Sequence, residues 1–203
     1  MLEIKQGTSQ DASALSELIF LSAPKLLPYL FGSEAQAKHY LSQACAQDDG
    51  QYSANRHSVV SNSENLIGSI SLWHNQMPQA FHDGTIKSLA YHLNTSQLSH
   101  IVRVNETLRE LFTPPAADEL CIGHLAVDEQ WRGQKIGSKL ISFALGQAKS
   151  MGKTKLILDV EEGNSEALHF YEKWHFSSAG TKPFLPTTQR YLRMEKVVDD
   201  NDA

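Results

Sequence analysis

A chain of 203 residues is long enough to bury one substantial core, and 41% hydrophobic with 20% charged residues is an ordinary globular composition, which excludes disordered and fibrous classes. The formal net charge of -5, with 23 acidic against 18 basic residues and no block of Lys or Arg, argues against a general nucleic-acid or membrane-surface binder, so an anionic ligand must be met by local charge. Cys45 and Cys121 are far apart and lack metal-ligand spacing, and no apolar run reaches membrane-spanning length, so reduced thiols in a cytoplasmic protein with neither secretion nor insertion are expected.

Leu2, Ile4 and Gln6 alternate as in a strand, and residues 9–12 then lead into a capped helix on which Leu15, Leu18, Ile19 and Leu21 recur. Pro24 and Pro28 bracket a short apolar stretch, 26–31, and a second helical segment over 33–44 sets Ala37, Tyr40 and Leu41 on one side. Residues 57–61 and 66–72 flank the turn-rich 62–65, which predicts a β-hairpin. From 75 to 113 the pattern is helical again, with Leu98, Ile101, Val102, Leu108, Leu111 and Phe112 as its apolar face, until Pro114 and Pro115 stop it.

The mostly apolar run 120–127 reads as a buried strand, and 136–150 as a helix with Ile136, Leu140, Phe143, Ala144 and Ala148 on one face and Gly152 at its end. A second buried strand over 155–160, a helix over 165–174 and a closing strand over 191–197 complete one domain of residues 1–198, with a helical insert at about 75–115. The acidic tail 199–203 is expected to fray.

Between the strand ending at Val127 and the helix starting near Ile136, residues 128–138 form a turn feeding a helix N-terminus. Unpaired amides and the positive end of the helix dipole favour a phosphate there, Gly133 and Gly137 permit close approach, and Arg132 and Lys135 add positive charge. A plain strand-to-helix turn with solvated basic residues accounts for the same pattern. A lysine fits this turn if its φ is negative. A dinucleotide-binding turn does not fit, since 132–137 lacks the dense glycine spacing and the early position of that motif.

Arg132 and Gly137 in this turn, Leu125-Ala126-Val127 before it, and the segment 164–173, with Asn164, Ala167, Phe170 and Tyr171, together resemble the GNAT acyltransferase superfamily. The sequence departs from the family pattern at Lys135, where the loop has its middle glycine, and at His175, where a glycine precedes the phenylalanine now at Phe176. The resemblance implies a mixed α/β (α+β) fold, the GNAT fold: a mostly antiparallel mixed sheet of about seven strands, flanked by helices, with a parallel pair that splays to admit acetyl-CoA. It also implies transfer of an acetyl group from acetyl-CoA, the cosubstrate, to a primary amine of a small molecule or a protein by direct attack in a ternary complex.

By the same resemblance the pyrophosphate would be held by Arg132, Gly133, Gln134, Lys135, Ile136, Gly137 and Ser138. The pantetheine arm would run along the main chain of Leu125, Ala126 and Val127 and touch Asn164, Ala167 and Tyr171. Tyr171 matches the tyrosine that protonates the leaving thiolate; on residue type alone a core tyrosine on an amphipathic helix is the favoured reading, and its position in the motif reverses that. For the base, Glu119 and His124 lie on or beside the candidate strand, and histidine has the better matched intrinsic pKa; a structural histidine is the competing reading. Gly123 stands where many relatives have an acid, which keeps open a noncatalytic acyl-CoA-binding or regulatory module. Asn164 can serve simply as a helix cap. The scattered histidines of the insert lack metal spacing, and no metal is implied. The partners implied are acetyl-CoA and an amine acceptor, with no nucleic acid or membrane, in a monomer or homodimer.

Overall fold

The computed structural model describes residues 2–62, 65–185 and 187–199, so the predicted frayed tail lies, but for Asp199, outside the described residues. Along the chain the elements are β1 (Glu3–Gln6), α1 (Ala12–Ser22), α2 (Leu26–Phe31), α3 (Glu34–Cys45), β2 (His57–Ser61), β3 (Leu66–Trp73), α4 (Gln79–His92), α5 (Thr95–Leu111), β4 (Glu119–Val127), α6 (Ile136–Ser150), β5 (Lys155–Glu161), α7 (Ser165–Lys173), β6 (Ser177–Pro183) and β7 (Arg190–Val197). The strands form one seven-stranded sheet in the order β1-β2-β3-β4-β5-β7-β6. β4 and β5 are parallel, whereas β1-β2, β2-β3, β5-β7 and β6-β7 are antiparallel, which is the mixed sheet implied by the resemblance. The predicted hairpin and the helical insert are both present; the insert is two helices, α4 and α5.

Two compact units are distinguished: Met1–Leu72 with Gln76–Asn105 and His124–Ile141, and Trp73–Asn75 with Glu106–Gly123 and Ser142–Ala203. In the first, Leu15 and Ile19 of α1, Phe31 of α2, and Ala37, Tyr40 and Leu41 of α3 pack into one cluster with Tyr52 and Val59. The chain enters α1 through a short 3-10 turn, Ser9–Asp11, closed by the Asp11 carboxylate, which accepts from the Thr8 amide and hydroxyl at 2.9 Å each. On α4, a Cβ at Gly84 would lie 2.6 Å from Asp49 and from the Gly50 nitrogen; glycine there lets helix and turn touch main chain to main chain.

The expected face of the second insert helix needs one correction. Ile101, Val104 and Leu111 are buried, whereas Val102 is 62% exposed. The inward stripe steps 101, 104, 108 and 111, with Leu108 half-buried, and Val102 is rotated off it by one residue, about 100°.

In the second unit β4 and β5 are registered over three pairs, from Glu119↔Lys155 to Cys121↔Ile157, while β5 goes on to pair with β7 along its whole length. Leu120, Leu156, Ile157, Leu158 and Met194 are essentially sealed from water. Arg193 of β7 ties β5 and the segment after α5 together: Nε and Nη2 donate to the two Asp159 oxygens at 3.0 and 2.7 Å, and Nη2 also donates to the Thr113 carbonyl at 2.6 Å. β6, a strand beyond those expected from the sequence, is almost wholly exposed, breaks register between Ser178 and Gly180, and ends on Lys182 and Pro183.

Candidate active site

The turn before α6 is built by local hydrogen bonds. The Asp128 amide donates to the Ile67 carbonyl at 3.0 Å, tying the end of β4 to β3, and the Asp128 carboxylate accepts from the Gln130 amide at 2.9 Å, starting a 3-10 turn that the Trp131 amide closes on the Asp128 carbonyl. Arg132 then leaves in extended backbone (φ -62, ψ 156), and the chain reverses through left-handed conformation at Gly133 (φ 77) and again at Lys135 (φ 61) before Ile136 begins α6. The expected negative φ at Lys135 is therefore wrong. The backbone keeps the shape for which glycine is the usual residue, and Lys135 carries the steric cost, about 1 kcal/mol.

A Cβ built on Gly133 meets nothing within 4 Å, so its dihedral, not crowding inside the chain, calls for glycine. The first amides of α6 have no partners within the helix, and their dipoles add at this end, so the site attracts an anion. Arg132, 45% exposed and 3.8 Å from Glu129, and the exposed Lys135 supply full positive charges beside it. Leu125, Ala126 and Val127 in β4, Gln134 in the turn, and Gly137 and Ser138 in the first turn of α6 complete the predicted stretch in this unit.

In the other unit Asn164 caps α7: its side-chain oxygen accepts from the Ala167 amide at 3.1 Å. Tyr171 lies about two turns on from the cap and is 8% exposed. Its surroundings follow from how α7 ends. The Phe176 amide donates back to the Tyr171 carbonyl at 3.1 Å and the His175 amide to Glu172 at 2.9 Å, the paired bonds of a Schellman end, with His175 left-handed at φ 61. The Phe176 ring closes on the Tyr171 ring, centroids 5.6 Å apart. α6 ends by the same bonds, Lys153 to Ala148 and Gly152 to Lys149, with Gly152 at φ 65. The departure from the family pattern at His175 thus occupies a glycine conformation, as Lys135 does. Burial pushes the Tyr171 phenol well above its ordinary pKa, so it is a protonated donor throughout the physiological range.

Of the two base candidates, Glu119 is half-buried and accepts from the Ala116 amide at 2.7 Å, closing the turn into β4. His124 sits at φ 44, a break in the strand that disturbs the simple alternation between Gly123 and Leu125. Its Nδ1 is 2.9 Å from Nε2 of His57, a residue that sequence reading placed in the hairpin and gave no role. The two rings are nearly parallel (11°), and the Tyr52 ring lies at 15° to His124 with centroids 5.3 Å apart. Burial lowers the His57 pKa to about 4; His124 is lowered too, first by burial and then by the neighbouring His57, so both rings are neutral at pH 7. The only linear signal for this pair was a histidine opening a β-favouring run.

The chain matches the acetyltransferase (GNAT) family over residues 25–176, three quarters of its length. It is 36% identical over 55 residues to N-alpha-acetyltransferase 30 of Schizosaccharomyces pombe, a match spanning 27% of this chain and 37% of that protein, so it covers little more than a third of this curated relative. A crystal structure of an acetyltransferase superposes with a TM-score of 0.68 at 24% identity, over 97% of this chain and all of that one. The structure of yncA from Salmonella typhimurium, solved with its cofactor acetyl-CoA, superposes at 0.58 and 12% identity over 100% of this chain and 96% of that one; both likenesses are of fold. The family match and the seven-stranded mixed sheet agree: the chain belongs to the GNAT family of acetyltransferases, enzymes that use acetyl-CoA.

Proposed function

We propose that this protein transfers the acetyl group of acetyl-CoA to a primary amine by direct attack, and that residues 132–138 hold the pyrophosphate. The observation that carries this reading is the start of α6: left-handed backbone at Gly133 and Lys135 and two cationic side chains, beside first-turn amides that a helix cannot pair within itself, make an anion cradle in a chain of net negative charge. Main-chain groups of Leu125, Ala126 and Val127 hold the pantetheine arm and the thioester carbonyl, with Asn164 and Ala167 beside it. Tyr171, buried and protonated, donates to the departing thiolate.

His124 takes the proton of the attacking amine, in preference to Glu119, whose carboxylate is engaged by its own turn. The acceptor is a small-molecule amine or a protein amino group, and the name of the fungal relative favours including peptide N-termini among the candidates. Two buried free thiols fit a reducing cytoplasm. Thiol release with a panel of amines and N-terminal peptides, read beside the thermal shift caused by acetyl-CoA, tests the proposal. Release with saturable amine dependence supports it; protection by acetyl-CoA with no release from any amine or peptide replaces it with a noncatalytic binding module.

A further inference from the structure

Arg193 has more donors than its own fold uses. Those on Nε and Nη2 hold the Asp159 carboxylate, and a second hydrogen on Nη2 meets the Thr113 carbonyl. A guanidinium carries five N–H groups, so the two on Nη1 remain, and among the described residues they meet no acceptor. Nor is that nitrogen sealed: the Arg193 side chain is 21% exposed, and Nη1 is not one of the buried atoms that lack a partner. A guanidinium fixed by three hydrogen bonds thus keeps one pair of donors open to a ligand. We infer that Arg193 is a specificity-determining residue, whose Nη1 donates to the first carbonyl oxygen of a peptide that offers its amino terminus as acetyl acceptor. This rests on the acetyl-transfer reading given above and narrows its acceptor from any primary amine to a peptide α-amine.

The place of Arg193 in the sheet gives these donors a use. It pairs with Asp159 across β7 and β5, and Asp159 lies two residues beyond Cys121↔Ile157, the last registered pair of β4 and β5. Past that pair the parallel strands part, which is where the GNAT fold admits acetyl-CoA. Two residues past Cys121 on β4 stands Gly123, which has no side chain to lay over the guanidinium, and Cys121 and Glu119 lie close enough for its charge to be felt. Charge then selects the ligand. Asp159 neutralises the guanidinium and Glu161 follows on the same face of β5, so a free carboxylate meets no net positive charge. A neutral carbonyl loses nothing by that, and the same acids suit the ammonium of a peptide terminus. In a peptide the amino group is one carbon removed from the first carbonyl, so a hydrogen bond from Nη1 also places the attacking nitrogen; a simple alkylamine offers no such handle.

Matched acceptors test this: tetrapeptide amides beginning with alanine, serine or methionine, and isosteres of each with a trans-alkene in place of the first peptide bond. The isostere keeps the shape and the amine and removes the carbonyl. Thiol release by the wild type should give a kcat/KM about thirtyfold higher for the better peptides than for their isosteres. Arg193→Lys, which keeps a positive charge beside Asp159, should lose that factor on the peptides and act on the isosteres as the wild type does. Equal losses on both acceptors, as a merely structural role predicts, or equal use of both by the wild type, overturn the inference. Guanidinium nitrogen NMR of the wild type with coenzyme A should show Nη1 of Arg193 shifting with peptide and not with isostere; no shift with peptide overturns it even if Arg193→Lys does not fold. Acetylation of other amines but of no peptide sinks the inference and leaves the acetyl-transfer reading standing, whereas no thiol release from any amine or peptide sinks both.

Discussion

Acid should loosen this protein through its histidine pair, above all through the buried His57. His57 is neutral in the native state because burial lowers its pKa from 6.5 to about 4, while in the unfolded chain it regains its ordinary value. Between those two values the unfolded state binds more protons than the native state, so stability is full above pH 6.5, falls as the pH falls, and is lost by pH 4. At pH 5 the unfolded ring is nearly all charged and the native ring mostly neutral, which amounts to about 2 kcal/mol lost relative to pH 7 from His57 alone. His124 acts in the same direction. Urea titrations at pH 5, 6 and 7 on the wild type and His57→Gln measure the effect: the wild type should lose about 2 kcal/mol more than the variant over that range. Parallel pH dependences would show that His57 is not held neutral by the core.

Arg132→Ala and Lys135→Ala should each weaken coenzyme A binding about tenfold by calorimetry, more at low salt than at high, because both side chains are exposed; unchanged affinity in both would remove this turn from the cofactor site. Tyr171→Phe should lower kcat about a hundredfold and leave acetyl-CoA affinity nearly intact, as expected when a proton donor is lost but ring packing against Phe176 is kept. His175→Gly should raise stability by about 1 kcal/mol, and Gly152→Ala should lower it by a similar amount, since the two residues hold the same left-handed place at the ends of α7 and α6; thermal melts of the pair read both signs.

The sequence revealed elements whose side chains repeat with the period of the structure. Ile136, Leu140, Ala144 and Ala148 face one way on α6 and are all buried, and the hairpin 57–61 and 66–72 is reproduced within one residue. β6 escaped because no face of it is buried: Ser, Ala, Gly, Thr and Lys in succession give no alternation to read. Val102 misled because apolar character alone does not fix a side chain's place around a helix. The dihedrals of Lys135 and His175 were hidden for another reason: the surrounding hydrogen bonds set a left-handed backbone, and the residue type advertised the opposite. The partnership of His57 and His124 joins positions 67 residues apart, which no local pattern can announce.

The form of β6 bears on how copies of this chain can meet. It is the last strand in the sheet order, and the outer rim of a sheet is where a foreign strand most readily adds itself. Here that rim is interrupted by Gly180 at φ 143, carries a lysine at 182, and closes with Pro183, which has no amide hydrogen to offer. Self-association by extending the sheet through this side is thereby discouraged, and fibrillar stacking along it carries the same handicap.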